Sequence, residues 1–204
     1  KLRRFLYLIS PNDIKKNFCN ELEEVLSSNI VKFFQLRLKK YSKKRLIKIA
    51  KEIIPIAKKH NVKLIINDFP EIAKKIKADG CHLGQSDMKI KYSRRFLKRN
   101  KIIGITCHGS KKLILKAIKE KPNYIAIGSF FKSKLKPNAK RAKKNLIKWC
   151  RNRINLPIVA IGGIDNKNYK TLIKMGVNYV AISSFIWNNP RLKPKNAIKE
   201  FKLK

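Results

Sequence analysis

The chain has 204 residues, 44% of them hydrophobic, which is enough for one sizeable core, points to a single domain over residues 1–204 and excludes disorder as the main state. Its 51 lysines and arginines against 12 aspartates and glutamates give a net charge of +39, which taken alone points to a polyanion partner such as nucleic acid. The cysteines at 19, 81, 107 and 150 show no CxxC spacing, so they argue against a disulfide framework or a zinc site and for a reducing, cytoplasmic location.

Short apolar, largely β-branched runs are predicted as strands in regular succession. They are Phe5 to Ile9, Phe33 to Leu38, Lys63 to Asn67, Gly80 to Leu83, Ile102 to Thr106, Tyr124 to Gly128, Ile158 to Gly162 and Tyr179 to Ser183. Each is followed by a helical pattern. Near-continuous apolar character is what a parallel sheet covered by helices requires. About eight such units in a chain of this length predict a TIM (β/α)8 barrel; an open doubly wound sheet would place GxGxxG after its first strand, and none is there. No apolar run nears the ~20 residues of a membrane span, and the opening KLRRFLYLIS is too soon broken by Pro11 for a signal peptide.

Lysines fall between apolar residues at helical spacing, as Lys111, Lys112, Lys116 and Lys119 do around Leu113, Ile114, Ala117 and Ile118. The pattern recurs over residues 43–59 and 140–151. The charge is therefore expected on helix exteriors all round the molecule rather than on one nucleic-acid-binding face, and a specific nucleic-acid partner is not expected.

A barrel draws its chemistry from the C-terminal ends of its strands. That rule selects Gln35, Arg37 and Lys39; Asn67 and Asp68; Gln85 and Asp87; Thr106 and His108; Ser129, Ser133 and Lys136; Gly162 and Gly163; and Ser183 and Ser184. Asp68 and Asp87 follow adjacent strands at one end, and two converging carboxylates in so basic a chain read as ligands for a divalent hard cation, with Mg²⁺ the natural choice. The competing reading has Asp68 capping a helix near Phe69 and Asp87 bracing its loop.

IVAIGGIDN and YVAISSF in the last two units suggest a phosphate site at Gly163, Ser183 and Ser184. Arg37, Lys39, Thr106 and Lys136 come from other strands around the same mouth. A metal with several such donors is the arrangement that stabilises a departing pyrophosphate.

Pieces spanning almost the whole chain, YLIS at 7–10, FQLRLK at 34–39, LIINDF at 64–69, ADGCHLGQSD at 78–87, IIGITCH at 102–108, YIAIGSFF at 124–131 and PIVAIGGID at 157–165, resemble the thiamine phosphate synthase family. The resemblance implies condensation of a hydroxymethylpyrimidine pyrophosphate with a thiazole phosphate to give thiamine phosphate and pyrophosphate. By matching positions, Gln35, Leu36, Arg37, Leu38, Lys39 and Asn67 would hold the pyrimidine substrate, and Asp68 and Asp87 the Mg²⁺. Thr106 and Lys136 would hold the pyrophosphate, and Ser133, Lys134, Leu135, Gly163, Ser183 and Ser184 the thiazole phosphate. Two positions depart from the family pattern: Leu38 stands where a glutamate is usual, and Ser133 to Lys136 replaces a Thr-x-Thr-Lys loop, so that Leu135 offers no hydroxyl. The alternatives are a thiazole tautomerase on the same barrel, for which His108 is the relevant residue, a non-catalytic ligand-binding paralogue and a nucleic-acid-binding protein.

Overall fold

A computed structural model describes residues 4–132 and 140–202 of the chain. Eight parallel strands close into a barrel in sequence order: β1 (Leu6–Ile9), β2 (Val31–Leu36), β3 (Lys63–Asn67), β4 (Gly80–Leu83), β5 (Ile102–His108), β6 (Tyr124–Gly128), β7 (Ile158–Ile161) and β8 (Tyr179–Ile182). Closure is made by β8 pairing with β1, Tyr7 opposite Ala181. The TIM-barrel expectation holds. The expected strand limits shift most at β2, which leaves Arg37, Leu38 and Lys39 in the loop beyond it, and at β5, which continues to His108 through an irregularity after Thr106.

Between the strands run α1 (Phe18–Leu26), α2 (Lys43–Lys59), α3 (Pro70–Lys75), α4 (Ile90–Phe96), α5 (Lys111–Lys119), α6 (Asn145–Arg151) and α7 (Tyr169–Lys174), with α8 (Ser184–Trp187) and α9 (Pro194–Ala197) after β8. The longest, α2, starts where the Ser42 side chain accepts the Arg45 N–H at 3.3 Å, and it buries Leu46, Ile49, Ala50, Ile53 and Ala57 on one stripe. Burying one such Leu or Ile is worth roughly 1.5–3 kcal/mol, more than the ~1 kcal/mol of a cap, so the stripe rather than the cap docks the helix. Pro55 lies on the exposed face, where water can satisfy the carbonyl that its missing N–H leaves free. Lys112, Lys116 and Lys119 are exposed on α5, as the sequence pattern requires.

Two cores result. The larger fills the layer between strands and helices. The smaller lies inside the barrel and holds Tyr7, Phe33, Ile65, Tyr124, Ala126, Val159 and Ala181. Gly104 on β5 belongs to the interior: a Cβ there would come within 1.9 Å of Tyr124 Cζ, so the tyrosine ring occupies the space that the glycine leaves. Among the described residues no helix is long and apolar enough to cross a membrane.

Candidate active site

Side chains alternate along each strand between the barrel interior and the helix layer, so parity decides which groups can meet at the mouth. Counting upward from the interior residue Phe33 gives Gln35 and then Arg37; from Ile65 the count gives Asn67. The same parity places His82 on β4, Thr106 on β5 and Ser183 just past β8. Gln35, Asn67 and His82 are buried, while Arg37, Thr106 and Ser183 are partly open.

Leu36 and Leu38 have the opposite parity and are buried in the strand–helix layer. The structure therefore does not bring the Leu36 side chain to the interior, and only backbone from that position can face it. Leu38 stands at the rim. There it lines, with Leu46 and Phe69, the apolar side of a cleft of about 110 Å³ whose polar side is Lys39, Asn67 and Asp68.

Asp68 is built into this cleft by its backbone. Its φ of 66° is left-handed, and its N–H donates to the His82 carbonyl at 2.8 Å, tying the end of β3 to β4. The N-cap of α3 is Phe69, so Asp68 is not the helix cap that the competing reading required. Instead Lys39 Nζ lies 3.3 Å from its carboxylate. Burial raises the Asp68 pKa, and the facing carboxylate of Asp87, within hydrogen-bonding reach, raises it further, against the opposing pull of Lys39. Asp87 does brace its loop, accepting the Gly84 N–H at 2.6 Å.

Two facing carboxylates whose mutual repulsion is only partly offset by one ammonium form a donor set that a hard divalent cation fits. Among the described residues no group of three or more His, Cys, Asp or Glu could hold a metal, so a cation here would complete its shell with water or ligand oxygens.

On the other side of the mouth, Gln85 Nε2 donates to the Thr106 carbonyl at 2.6 Å. His108, beyond the irregularity in β5, is exposed. Ser183 donates to the Ser10 carbonyl at 3.1 Å, Ser184 opens α8, and the Trp187 indole pins that helix to the Ile9 carbonyl at 2.7 Å. Gly163 has φ 62°, and a Cβ there would approach the Lys132 carbonyl oxygen to 2.3 Å. The glycine is thus required where the end of β7 packs on the segment after β6, whatever it offers a phosphate. Ser133, Lys134, Leu135 and Lys136 lie outside the described residues.

The sequence reading missed a chain of polar groups under the mouth. Gln35 Nε2 donates to the Tyr7 hydroxyl at 2.8 Å, and Tyr7 and Tyr124 share a hydrogen bond of 2.7 Å. His82 Nδ1 lies 2.8 Å from the Tyr124 hydroxyl, and its Nε2 lies 2.8 Å from Thr106 Oγ1. Burial pushes the His82 pKa down to about 4, with Asp87 pulling it up and Arg37 pushing it down, so the imidazole is neutral at ordinary pH. Burial drives both phenols up, keeping them protonated. The signal available in the sequence was parity: Tyr7, His82 and Tyr124 fall on inward positions of otherwise apolar strands.

The family model described as thiamine monophosphate synthase matches residues 6–186. The thiamine-phosphate synthase of Pelagibacter ubique (strain HTCC1062) is 49% identical over 201 residues, covering 98% of this chain and 97% of that one. The thiamine-phosphate synthase of Methanobrevibacter smithii is 36% identical over 202 residues, covering 98% and 96%. Among solved structures, a thiamine phosphate pyrophosphorylase from Pyrococcus furiosus superposes with a TM-score of 0.85 at 25% identity, covering 97% of this chain and 93% of its own. A 3-hexulose-6-phosphate synthase, at 17% identity and a TM-score of 0.65, shares the fold. Matched over most of its length by the family model and by relatives well above 30% identity, the chain belongs to the thiamine monophosphate synthase family.

Proposed function

We infer that this chain is a thiamine-phosphate synthase of thiamine biosynthesis, a transferase that joins a hydroxymethylpyrimidine pyrophosphate to a thiazole phosphate. The observation that carries the reading is 49% identity across 98% of the chain to a protein of that name. The facing pair Asp68 and Asp87 supports it against the tautomerase alternative, whose expected residue, His108, is exposed at the end of β5.

In this reading Gln35 and Asn67, buried at the strand ends, hold the pyrimidine. Asp68 and Asp87 would hold Mg²⁺, which when bound supplies positive charge to the leaving pyrophosphate. Arg37, Lys39 and Thr106 present cationic and hydroxyl donors to the same anion. The carbon–oxygen bond of the pyrimidine methylene breaks with its electron pair going to pyrophosphate, and the thiazole nitrogen gives its pair to the methylene carbon. No proton need move in this step, so it requires neither a covalent nucleophile nor a general base. Gly163, Ser183 and Ser184, at the ends of β7 and β8, would receive the thiazole phosphate. The protein works among small molecules in the cytoplasm in this reading.

The test is direct. Purified protein with both substrates and Mg²⁺ should form thiamine phosphate and pyrophosphate in equal amounts. Formation of neither product, with both substrates bound, would make the chain a non-catalytic paralogue.

A further inference from the structure

The polar chain beneath the mouth joins two residues from distant strands, Gln35 on β2 and Thr106 on β5, through Tyr7, Tyr124 and His82. Every link between them is a hydroxyl or the buried imidazole of His82, which has a hydroxyl on each ring nitrogen, and a hydroxyl or a neutral imidazole carries a single proton. A group with one proton that donates in one direction must accept from the other, so the links cannot be set independently.

Starting from the Gln35 amide the order is forced. Gln35 Nε2–H donates to the Tyr7 oxygen, so the Tyr7 proton goes to the Tyr124 oxygen. The Tyr124 proton then goes to His82 Nδ1, which places the imidazole proton on Nε2 and aims it at Thr106 Oγ1. Thr106 has become an acceptor within the chain, and its own proton is left for a ligand. At the other end the Gln35 carbonyl oxygen is not used by the chain. Turning the Gln35 amide over would reverse every link and make Thr106 an acceptor toward the mouth.

We propose that Tyr7, Tyr124 and His82 are positioning residues that couple the Gln35 amide to the Thr106 hydroxyl, so that the site offers an acceptor to one end of its substrate only while it offers a donor to the other. This deepens the reading given above. An aminopyrimidine brings an N–H donor and a pyrophosphate brings only acceptors, and the direction that the Gln35 amide imposes on the chain matches that pair. The packing is consistent with a fixed relay: the His82 and Tyr124 rings are stacked at 5.7 Å, and Gly104 leaves the space that the Tyr124 ring fills.

Long-range ¹H–¹⁵N spectra of histidine-labelled protein, with His82 assigned against His82→Gln, test this without any catalysis. The expected result is a neutral His82 with Nε2 protonated and Nδ1 bare. Protonation on Nδ1, or rapid averaging of the two tautomers, overturns the proposal. Tyr7→Phe cuts the chain far from Thr106 and should mix the tautomers while lowering kcat about tenfold with KM changed much less. His82→Gln, whose amide can still donate to Thr106, should retain at least about tenfold more kcat than His82→Leu. Equal losses in the two His82 variants, or an unmoved tautomer in Tyr7→Phe, also overturn it. If the wild type makes no thiamine phosphate, the synthase reading fails, yet the tautomer measurement still decides the coupling.

Discussion

The carboxylates of Asp68 and Asp87 face one another across the loops that follow β3 and β4, with Lys39 reaching only the first of them, at 3.3 Å. Removing one charge from such a pair relieves repulsion while removing a ligand. Asp87→Asn is therefore expected to keep or raise thermal stability and to lower turnover by orders of magnitude. EDTA should abolish turnover in the wild type and Mg²⁺ restore it. Undiminished turnover of Asp87→Asn at limiting Mg²⁺ would falsify the metal assignment.

Arg37 continues the interior parity of β2 and lies close enough to His82 to depress its pKa. If its charge meets an anion that gains charge as the bond breaks, Arg37→Met should cut kcat about a hundredfold and KM far less. Steady-state kinetics with each substrate varied in turn will separate the two. A change confined to KM would mean that ground state and transition state are held equally.

The outer lysines are expected to be bystanders. Lys112, Lys116 and Lys119 are exposed on α5, in the helical layer outside the barrel. Changing all three to Gln should leave turnover within about twofold and weaken any nucleic-acid binding, which should itself vanish as salt passes the physiological range. Titrating labelled DNA and RNA at several salt concentrations beside the synthase assay checks both halves. Tight, sequence-selective binding that survives physiological salt would contradict this account.

Gly163→Ala adds a methyl group 2.3 Å from the Lys132 carbonyl oxygen at a φ of 62°. The expected cost is more than ~1 kcal/mol, because Ala is strained where φ is positive and the contact is with backbone that cannot swing aside. Urea unfolding measures it. A variant as stable as the wild type would show that the end of β7 is free to move away from its neighbour.

Stability should also fall at alkaline pH. Burial pushes Cys107 up to about 12 and Cys150 up to about 11, and it raises Tyr7 and Tyr124 well above their ordinary value. The unfolded chain loses these protons first, at about pH 8.5 for thiols and about 10 for phenols. The contribution is thus complete below about pH 8 and drains away as pH climbs toward 11. Melting temperatures measured from about pH 7 to 10.5 should decline in that range, less steeply above about pH 10 in Tyr7→Phe. A flat profile would mean that these groups ionise alike in both states.

The architecture was legible because the apolar runs are long enough, and regular enough, to be read without knowing what they pack against. Helix exteriors were equally plain from their lysine spacing. Strand ends were less so: β2 stops at Leu36 although Leu38 is also apolar, and Leu38 is buried from the loop beyond, lining the cleft with Leu46 of α2. Proximity to a strand end likewise does not reveal which way a side chain points, and for Leu36 parity places it in the outer layer. His82 was marked in the sequence only by its inward parity, which does not reveal its role, since that depends on a tyrosine 42 residues away in the chain.

The exchange of space between Gly104 and Tyr124 closes the barrel beneath the mouth. With the Tyr124 ring laid across β5 and Tyr7 and Phe33 packed against it, the interior is a cup with a floor rather than a tube. A ligand has one way in, and its depth of penetration is limited by the thickness of an aromatic layer that cannot be thinned without emptying the core. Descendants of this chain that take a longer molecule would have to lengthen the rim, so diversification of specificity should be written in the loops while the strands stay as they are.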